Sequence, residues 1–552
     1  MKSIVIHFAG VVLISLILLG VGVERASVGT VYSDPVAKIR AQDESMYANM
    51  ALRQASTGDW LTPKVMGRYL LQKPPLLTWL AGLSLKFFGT SLFALRLPAL
   101  AAAIFCTVVV FALARRAGSP MLGWTAVLLL LSNSLWHIFA RLCYTDMLLV
   151  GCIAGSVAIF LYDTLLERRR SLWGFAVFCA TGVMAKNAAG LLPFAIVAVY
   201  WILADRSRRP SPARITLAFA LSVAFVAPWH IYQIVAHRQW FWSDYVQTQL
   251  LGFGFHPPAQ SSTESQLAFY SKRLILTDPV LFVLLIVAIP FLVRDVRRRA
   301  ATMPAVILAW LAVTGGALLL FRYRNLPYAL YLIPPACLAA AVYGPVFSRR
   351  SSKISLAALV LVFALKCFSP GQPWGITFGA AEPLPAVAAL HTYYELARPN
   401  ELILVDSDDD LYAAALPLPR VRYCFLDPDD VVRKYAPHYA TLGITLTEEE
   451  FENLDYLEPA YEARLRKWGL DSSEPIGTAI IITSRSMLPG LFRAYRNSDF
   501  YVSDADWELL QRETPVDQTH QTITASNGRK FLLARYPSQR RTAHLTQVPT
   551  GW

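Results

Sequence analysis

The 552-residue chain is short of charge. Only 16% of its residues are Asp, Glu, Lys or Arg, whereas soluble domains carry about 25%. Hydrophobic residues make up 55% of the chain, and the charged residues cluster between long apolar runs. This composition excludes a cytosolic enzyme and a disordered chain. It indicates a polytopic α-helical membrane protein.

Cysteine is scarce and unpatterned. The chain has seven Cys, most of them inside apolar runs, and it contains no CxxC pair. We infer neither a disulfide framework nor a zinc site. The net charge of +13 comes without a basic face carrying interleaved aromatic residues, so we expect no nucleic-acid partner.

Eleven apolar runs are long enough, or nearly so, to span a membrane. They cover residues 5–22, 92–114, 121–138, 147–165, 172–185, 188–204, 215–236, 279–293, 302–321, 327–347 and 354–368. We therefore expect an all-α membrane domain over residues 1–370, with about 11–13 transmembrane helices.

The arginines predict the orientation of these helices. Sixteen basic residues fall in alternate connections: Arg115, Arg116, Arg168, Arg169, Arg170, Arg206, Arg208, Arg209, Arg214, Arg294, Arg297, Arg298, Arg299, Arg349, Arg350 and Lys353. The opposite connections hold few: Arg141, Lys186, Arg322 and Arg324. The positive-inside rule places the sixteen in the cytoplasm. The loops at 23–91 and 237–278, and everything after about residue 370, then lie outside.

One apolar segment is too short to span. Residues 74–88 include Trp79 and number only 15. Counting this segment as a span would move the sixteen cations to the outer side. We therefore predict an interfacial or re-entrant helix on the outer face, anchored by Trp79.

The C-terminal part, residues 371–552, has mixed periodicity. Three segments are typical of strands: Glu401–Val405, Thr478–Thr483 and Lys530–Arg535. Thr447 and Glu450 form a capping box that predicts a helix ending near Gly469. We expect a small α/β domain on the outer face, which in a bacterium is the periplasmic face of the cytoplasmic membrane.

Two adjacent carboxylates, Asp43 and Glu44, follow the first apolar run at the outer interface. Acidic residues favour a helix N-terminus, so a solvated helix start is the simplest interpretation of this pair alone. Adjacent helical residues do not share a face, so at most one of the two would point into a site.

Further motifs follow this acidic pair in order. They are Tyr47-Ala48, Gly58-Asp59-Trp60, Lys73-Pro74-Pro75-Leu76 and Arg96-Leu97-Pro98. Over about 55 residues the pattern resembles the first outer loop of bacterial GT-C glycosyltransferases. That superfamily includes the ArnT-type aminoarabinose transferases and the group related to dolichyl-phosphate-mannose protein mannosyltransferases.

The resemblance implies transfer of a sugar from a polyprenyl-phosphate carrier on the outer face. Asp43 matches the catalytic carboxylate of the family, and Glu44 stands beside it. Lys73 matches a cation at the site, and Asp146 matches a second acidic position. A helix N-cap at the interface is the alternative interpretation of Asp146.

Three more residues lie where the relatives carry site residues. Arg322 and Arg324 precede a Pro- and Tyr-containing helix, where they would bind the donor phosphate. Snorkelling to lipid headgroups is the alternative role. His256 lies in the second outer loop, where relatives often have a His, and its expected role is contact with substrate or metal. A lone surface His is more often inert.

The chain also departs from the ArnT-type pattern. Ser45 and Met46 stand where those proteins carry an arginine, and Ala185-Lys186-Asn187 replaces a Thr-Lys-Gly motif. These departures leave the donor sugar open. The acceptor, whether lipid A, another glycan or a protein, and the need for a divalent metal ion are open as well.

Elementary chemistry agrees with a transferase. Displacement at the anomeric carbon needs a base for the acceptor hydroxyl and positive charge for the departing phosphate. A single displacement would invert the anomeric centre. The alternatives are a flippase of lipid-linked sugars or a non-catalytic relative. Transporters usually carry polar residues near the midplane, whereas here the ionisable residues lie at the outer ends of the apolar runs.

We predict that residues 371–552 lie outside the cytoplasmic membrane. The reason is that five Arg-rich connections alternate with Arg-poor ones, and the positive-inside rule places the Arg-rich ones in the cytoplasm. Protease added to intact spheroplasts should remove this domain. Protection of the domain until the membrane is opened would contradict the predicted topology.

Overall fold

A computed structural model of the chain describes two compact units. The described residues are 2–24, 33–34, 39–40, 43–65, 68–255, 264–298, 301–344, 352–370, 372–376, 402–405, 421–425, 463, 480–482, 485–496, 499–517, 522–524 and 530–537. The first unit comprises Met1–Thr30, Met50–Pro63 and Leu70–Ala381. The second comprises Val31–Asn49, Lys64–Tyr69 and Glu382–Trp552.

Helices dominate the first unit. They are α1 (Lys2–Gly20), α2 (Asp43–Thr57, in this unit from Met50), α3 (Leu76–Phe88), α4 (Leu92–Arg116), α5 (Pro120–Leu131), α6 (Ser134–Ala140), α7 (Thr145–Tyr162), α8 (Arg169–Lys186), α9 (Leu192–Leu203), α10 (Pro212–Phe241), α11 (Phe253–Phe255), α12 (Gln266–Thr277), α13 (Pro279–Arg297), α14 (Thr302–Leu320), α15 (Ile333–Tyr343) and α16 (Ser352–Cys367). A π-helical segment, Trp242–Gly252, follows α10, and a 3-10 helix, Leu326–Leu332, precedes α15.

The predicted polytopic membrane domain is confirmed. Seven helical stretches among the described residues are long and apolar enough to cross a membrane, and α5 with α6, bent by 73°, makes an eighth. Each of the eleven predicted runs coincides with a helical stretch. Among the described residues, α1 and α16 are shorter apolar helices, and α8 and α9 form one apolar stretch with a break. The expected number of about 11–13 transmembrane helices stays a prediction.

The short apolar helix predicted before residue 89 is α3, which begins directly after Pro75. Trp79 does anchor it, but to protein: its indole Nε1 donates a hydrogen bond of 2.5 Å to the Trp60 carbonyl. The face of α3 at Gly82 packs against the Trp60 ring. The turn at residues 58–61 therefore holds α3 in place.

Helices α7 and α8 form a close antiparallel pair. Gly155 lets them approach, because a Cβ atom there would lie 2.5 Å from the Phe178 ring. The chain reverses after α8 at Asn187, which has a φ of +52°, a conformation that Asn tolerates better than most residues. Gly190 then lies so near the Val183 backbone that any Cβ would overlap it. These close approaches fix where α8 ends.

A buried polar network holds α16. The Lys366 ammonium lies 3.2 Å from Asp278 Oδ1, and both side chains are 3% exposed. Asn133 Nδ2 donates to Asp278 Oδ2 over 3.1 Å, and Asn133 Oδ1 caps α6 by accepting from the Trp136 amide. The α5–α6 bend, the start of α13 and the end of α16 therefore meet at one carboxylate.

The second unit contains a six-stranded mixed sheet with the order β7-β6-β5-β8-β10-β9. Its strands are β5 (Leu402–Val405), β6 (Val421–Phe425), β7 (Ile480–Ile482), β8 (Asp499–Ser503), β9 (Thr522–Thr524) and β10 (Lys530–Ala534). Strands β5, β6, β7 and β8 pair in parallel, and β10 pairs antiparallel with β8 and β9. Short ribbons, β1 (Ser33–Asp34) with β2 (Ile39–Arg40) and β3 (Lys64–Val65) with β4 (Arg68–Tyr69), belong to the same unit.

Helices α17 (Leu488–Ala494) and α18 (Asp504–Glu513) accompany this sheet, and Phe492, Trp507 and Leu532 belong to its buried core. The three predicted strands are confirmed as β5, β7 and β10. The predicted helix from Thr447 to Gly469 lies outside the described residues except at Ala463.

We predict that Gly190→Ala destabilises the first unit by at least about 1–3 kcal/mol, because the added methyl group overlaps backbone that cannot move aside. Denaturant unfolding in detergent micelles measures this loss. Gly316→Ala is the matched control: Gly316 lies within α14 with open space around it, so alanine there should be neutral or stabilising. Equal unfolding free energies for the two variants would contradict the prediction.

Candidate active site

Asp146 and Lys186 occupy the same end of the α7–α8 pair. Asp146 is the second residue of α7 and Lys186 is the last residue of α8. A carboxylate at a helix N-terminus and an ammonium at a helix C-terminus are each favoured by the helix dipole. The antiparallel packing of the two helices therefore brings the opposite charges together.

The two charges form a buried ion pair. Lys186 Nζ donates to Asp146 Oδ1, and the side chains are 8% and 3% exposed. Tyr331 adds a second donor, because its hydroxyl lies 2.5 Å from the same Asp146 oxygen. One carboxylate thus joins three segments of the chain: α7, α8 and the 3-10 helix before α15.

The 3-10 helix also places a second aromatic ring, that of Tyr328, beside the Asp146–Lys186 ion pair. Residues three apart eclipse one another in a 3-10 helix, so Tyr328 and Tyr331 share a face and stack at 6.1 Å. Lys186 Nζ lies 4.5 Å from the centre of the Tyr328 ring. The ammonium is therefore held by a carboxylate and by an aromatic face, which suits a cation kept at fixed depth.

Thr145 stands next to Asp146 with a buried hydroxyl. No hydrogen-bond partner for this hydroxyl is found within the described part of the chain. Buried hydroxyl groups are normally satisfied by protein, water or ligand. The cluster of Thr145, Asp146, Lys186, Tyr328 and Tyr331 is called the Asp146 cluster below.

The segment carrying Arg322 and Arg324 is fastened to α12. Tyr270 of α12 accepts from the Asn325 amide over 3.2 Å and donates to its carbonyl over 3.3 Å. Burial raises the pKa of Tyr270 to about 12, so the phenol keeps its donor proton at physiological pH. Gln266 Nε2 donates to the Arg322 carbonyl over 2.5 Å.

The two arginines differ in what they can reach. Arg322 is exposed. Arg324 donates to the Glu264 carbonyl and lies 5.7 Å from the Phe269 ring, so it shapes this loop. The hydrogen bond from Arg273 lowers the pKa of the Glu264 carboxyl. Of these two predicted phosphate ligands, Arg322 has an exposed side chain, whereas Arg324 is engaged with the backbone of Glu264.

The first outer loop docks on α10 and on the π-helical segment after it. The Leu61 carbonyl accepts from Trp229 Nε1 over 3.3 Å and from Gln233 Nε2 over 2.6 Å. The Leu71 amide donates to Asp244 over 3.1 Å. Lys73 follows two residues later and is half-buried. Its backbone is therefore fixed from both sides, by this contact and by the start of α3.

Asp59 of the GDW turn has a structural role. Its Oδ2 lies 3.3 Å from Arg53 Nη1, and its Oδ1 accepts from the Thr62 amide over 3.2 Å. Gly58 has a φ of +77°, which favours glycine. The motif that carries the family resemblance is thus explained by a turn that the loop needs.

Asp43 and Glu44 open α2, as predicted, and they belong to the second unit. Glu44 is fully buried, whereas Asp43 is half-buried. The predicted residue His256 lies outside the described residues. Among the residues that the structure does describe, no group of three or more His, Cys, Asp or Glu side chains could hold a metal ion.

Sequence reasoning identified Asp146 and missed its partners. Lys186 stood out as one of few cations in the outer connections and as part of the Ala185-Lys186-Asn187 segment, without a link to Asp146. Tyr328 stood out only as part of a Pro- and Tyr-containing helix, and Tyr331 did not stand out. The available signal was an acidic residue that opens one apolar run and a lysine that closes the next. Tyr331 gave no such signal, because 185 residues separate it from Asp146.

Comparison with known proteins defines the class of this fold. The chain shares the fold of ArnT from Cupriavidus metallidurans. The structure bound to undecaprenyl phosphate superimposes with a TM-score of 0.66, covering 98% of this chain and 99% of that one at 15% identity. The apo structure of the same protein gives a TM-score of 0.61.

Relatives in sequence cover a smaller part of the chain. Residues 72–232 match the family model "Dolichyl-phosphate-mannose-protein mannosyltransferase". An undecaprenyl phosphate-alpha-4-amino-4-deoxy-L-arabinose arabinosyl transferase of Edwardsiella ictaluri is 26% identical over 215 residues, 37% of this chain and 39% of the relative. An uncharacterized protein of Aquifex aeolicus is 31% identical over 212 residues, 36% of this chain and 40% of its own length. The chain thus spans about two fifths of these relatives.

We predict strong coupling between Asp146 and Lys186. Removing one partner of a buried ion pair leaves an uncompensated charge and costs about 3–5 kcal/mol. Asp146→Asn and Lys186→Met should each destabilise the protein by roughly this amount, and the double variant should lose little more than either single one. Unfolding free energies in micelles of one detergent give the coupling energy.

The control is the exposed pair Arg294–Asp295 in the same unit. A cycle with Arg294→Met and Asp295→Asn should give a coupling of about 0–1 kcal/mol. Additive effects at Asp146 and Lys186, like those expected at this surface pair, would show that the buried pair does not hold the helices together.

Proposed function

We propose that this chain is an integral-membrane glycosyltransferase. It moves a sugar from a polyprenyl-phosphate donor to a cell-envelope acceptor on the outer face of the bacterial cytoplasmic membrane. The observation that carries this proposal is the Asp146 cluster, in which a buried carboxylate holds a lysine ammonium at one end of a bundle of apolar helices. The ordered motifs from Asp43 to Pro98 and the shared fold support it.

The ammonium of Lys186 supplies charge where the donor phosphate would lie. Asp146 Oδ1 already accepts from Lys186 and Tyr331, so we assign Asp146 to positioning the cation. Lys73 and Arg322 add charge from two loops fastened by backbone hydrogen bonds. Charge-assisted hydrogen bonds to phosphate contribute roughly 1.5–3 kcal/mol each. The apolar helices suit the polyprenyl chain.

The reaction is a single displacement. By the family resemblance, Asp43 is the base that takes the proton of the acceptor hydroxyl, whose oxygen attacks the anomeric carbon. The bond between this carbon and the phosphate oxygen breaks, and polyprenyl phosphate leaves with the bonding electrons. The cations stabilise the negative charge that grows on the leaving phosphate, which is greatest in and after the transition state. The product has the inverted anomeric configuration. We assign Glu44, which is fully buried, a structural role.

The names of the relatives suggest the first donor to try. The Edwardsiella protein is named for undecaprenyl phosphate-alpha-4-amino-4-deoxy-L-arabinose. The departures at Ser45, Met46 and Asn187 fall beside the acidic pair and beside Lys186, so this chain can prefer another sugar. Lipid A, another glycan and a protein are the acceptors to compare. A divalent metal ion held by Asp43 or Glu44, with His256 as a further ligand, stays a proposal, which chelator inhibition reversed by magnesium would support.

We predict that Asp43→Asn lowers sugar transfer by about 10²–10⁴-fold with little change in stability, because the variant keeps the shape and removes the base. Purified protein is given undecaprenyl phosphate-alpha-4-amino-4-deoxy-L-arabinose and lipid A, and polyprenyl phosphate release is measured. If this pair is not used, the same comparison is made with the donor found in the host membrane.

Asp163→Asn is the matched control, because this carboxylate lies at the other end of α7. It should keep nearly full activity. Activity of Asp43→Asn within a few-fold of the parent would show that Asp43 is not the base.

A further inference from the structure

A cavity lies at the end of the helix bundle far from the Asp146 cluster. It has a volume of about 720 Å³ and is bounded by the ends of α4, α7, α13 and α15 and by the start of α14. Helix α7 gives its distance from the Asp146 cluster. Asp146 opens this helix and Leu161, which lines the cavity, closes it. At 1.5 Å per residue the two are about 22 Å apart. The cavity is therefore separate from the proposed active site.

One wall of the cavity is cationic. Arg116 closes α4 and is exposed, and Arg294 lies in the last turn of α13. Arg294 Nε donates to Asp295 Oδ1 over 3.1 Å, and its guanidinium lies 5.3 Å from the Phe291 ring. The lining therefore holds two guanidinium groups and one carboxylate, that of Asp295. Thr302, at the start of the 19-residue helix α14, adds a hydroxyl and a positive helix end.

Other lining residues are apolar and form what is called the apolar wall below. Leu113, Phe291, Met303 and Val342 contribute it, and Tyr343 stands at the end of α15. A free inorganic anion needs no such wall. An amphiphile needs both kinds, since its headgroup carries charge and its first methylene groups must leave water.

The location points to a lipid of one leaflet. The Arg-rich connections after α4 and α13 lie at this end, and the positive-inside rule assigns them to the cytoplasm. Basic pockets between transmembrane helices on the cytoplasmic side bind anionic lipid headgroups. We propose that this cavity binds the phosphodiester headgroup of an anionic glycerophospholipid of the cytoplasmic leaflet. Arg116 and Arg294 contact the phosphate, and the apolar wall contacts the glyceride end of the acyl chains.

Lipid binding to the purified full chain tests the proposal. Delipidated protein in detergent is titrated with phosphatidylglycerol, with phosphatidylcholine and with inorganic phosphate, and bound lipid is counted by native mass spectrometry. Phosphatidylglycerol should bind at least about tenfold more tightly than phosphatidylcholine. The variant Arg116→Gln/Arg294→Gln should lose most of this preference, because each charge-assisted contact is worth about a factor of ten or more.

Two further variants separate the cavity from general surface charge. Arg169→Gln/Arg170→Gln removes the same charge from exposed positions at the start of α8, outside the cavity, and should keep the preference. Ala301→Trp fills the cavity rim without changing charge, at an exposed residue, and should weaken phosphatidylglycerol binding while unfolding stays unchanged.

Three results would overturn the proposal. The first is equal binding of the two lipids by the parent protein. The second is an equal loss in both double-arginine variants, which would indicate surface charge alone. The third is competition by inorganic phosphate as strong as that by the lipid, which would indicate a free-anion site. None of these results bears on sugar transfer at the other end of the bundle.

Discussion

The arrangement of the membrane unit depends on one buried ion pair. Asp146 and Lys186 close the same end of two antiparallel helices, and Tyr331 bonds to the same carboxylate oxygen. Burying two charges is costly unless the geometry is good and other donors satisfy the oxygen atoms. The close approaches at Gly155 and Gly190 supply that geometry. The pair therefore specifies how α7, α8 and the 3-10 helix meet, and it leaves a cation at a defined depth.

Two loops of the membrane unit are fastened by hydrogen bonds to their backbone groups. The Leu61 carbonyl and the Leu71 amide fasten the first outer loop to α10 and the segment after it, and the Asn325 backbone is fastened to Tyr270. Hydrogen bonds to a loop's backbone groups can keep the loop in position while the loop's own side chains vary. Loops that are held through their backbone, with side chains free to differ, agree with a chain that shares the ArnT fold at 15% identity.

The sequence was informative where local physics decides. Apolar length predicted the helices, prolines predicted the start of α3, and alternating apolar residues predicted β5, β7 and β10. It was uninformative where distant segments meet. Nothing in the sequence near Asp146 indicates that Tyr331, 185 residues away, binds one of its oxygens. Asp59, in a motif that carries the family resemblance, has a local role, because its carboxylate accepts a hydrogen bond from the Thr62 amide in the same turn.

The proposed transferase adds a sugar to a cell-envelope molecule. Mass spectrometry of envelope lipids, glycans and proteins from cells with and without the gene tests this activity directly. We expect at least one species that is heavier by the mass of one sugar residue when the gene is present, and polyprenyl-phosphate-linked sugar that accumulates when the gene is absent. Identical envelope spectra under conditions where the protein is expressed would contradict the proposed function.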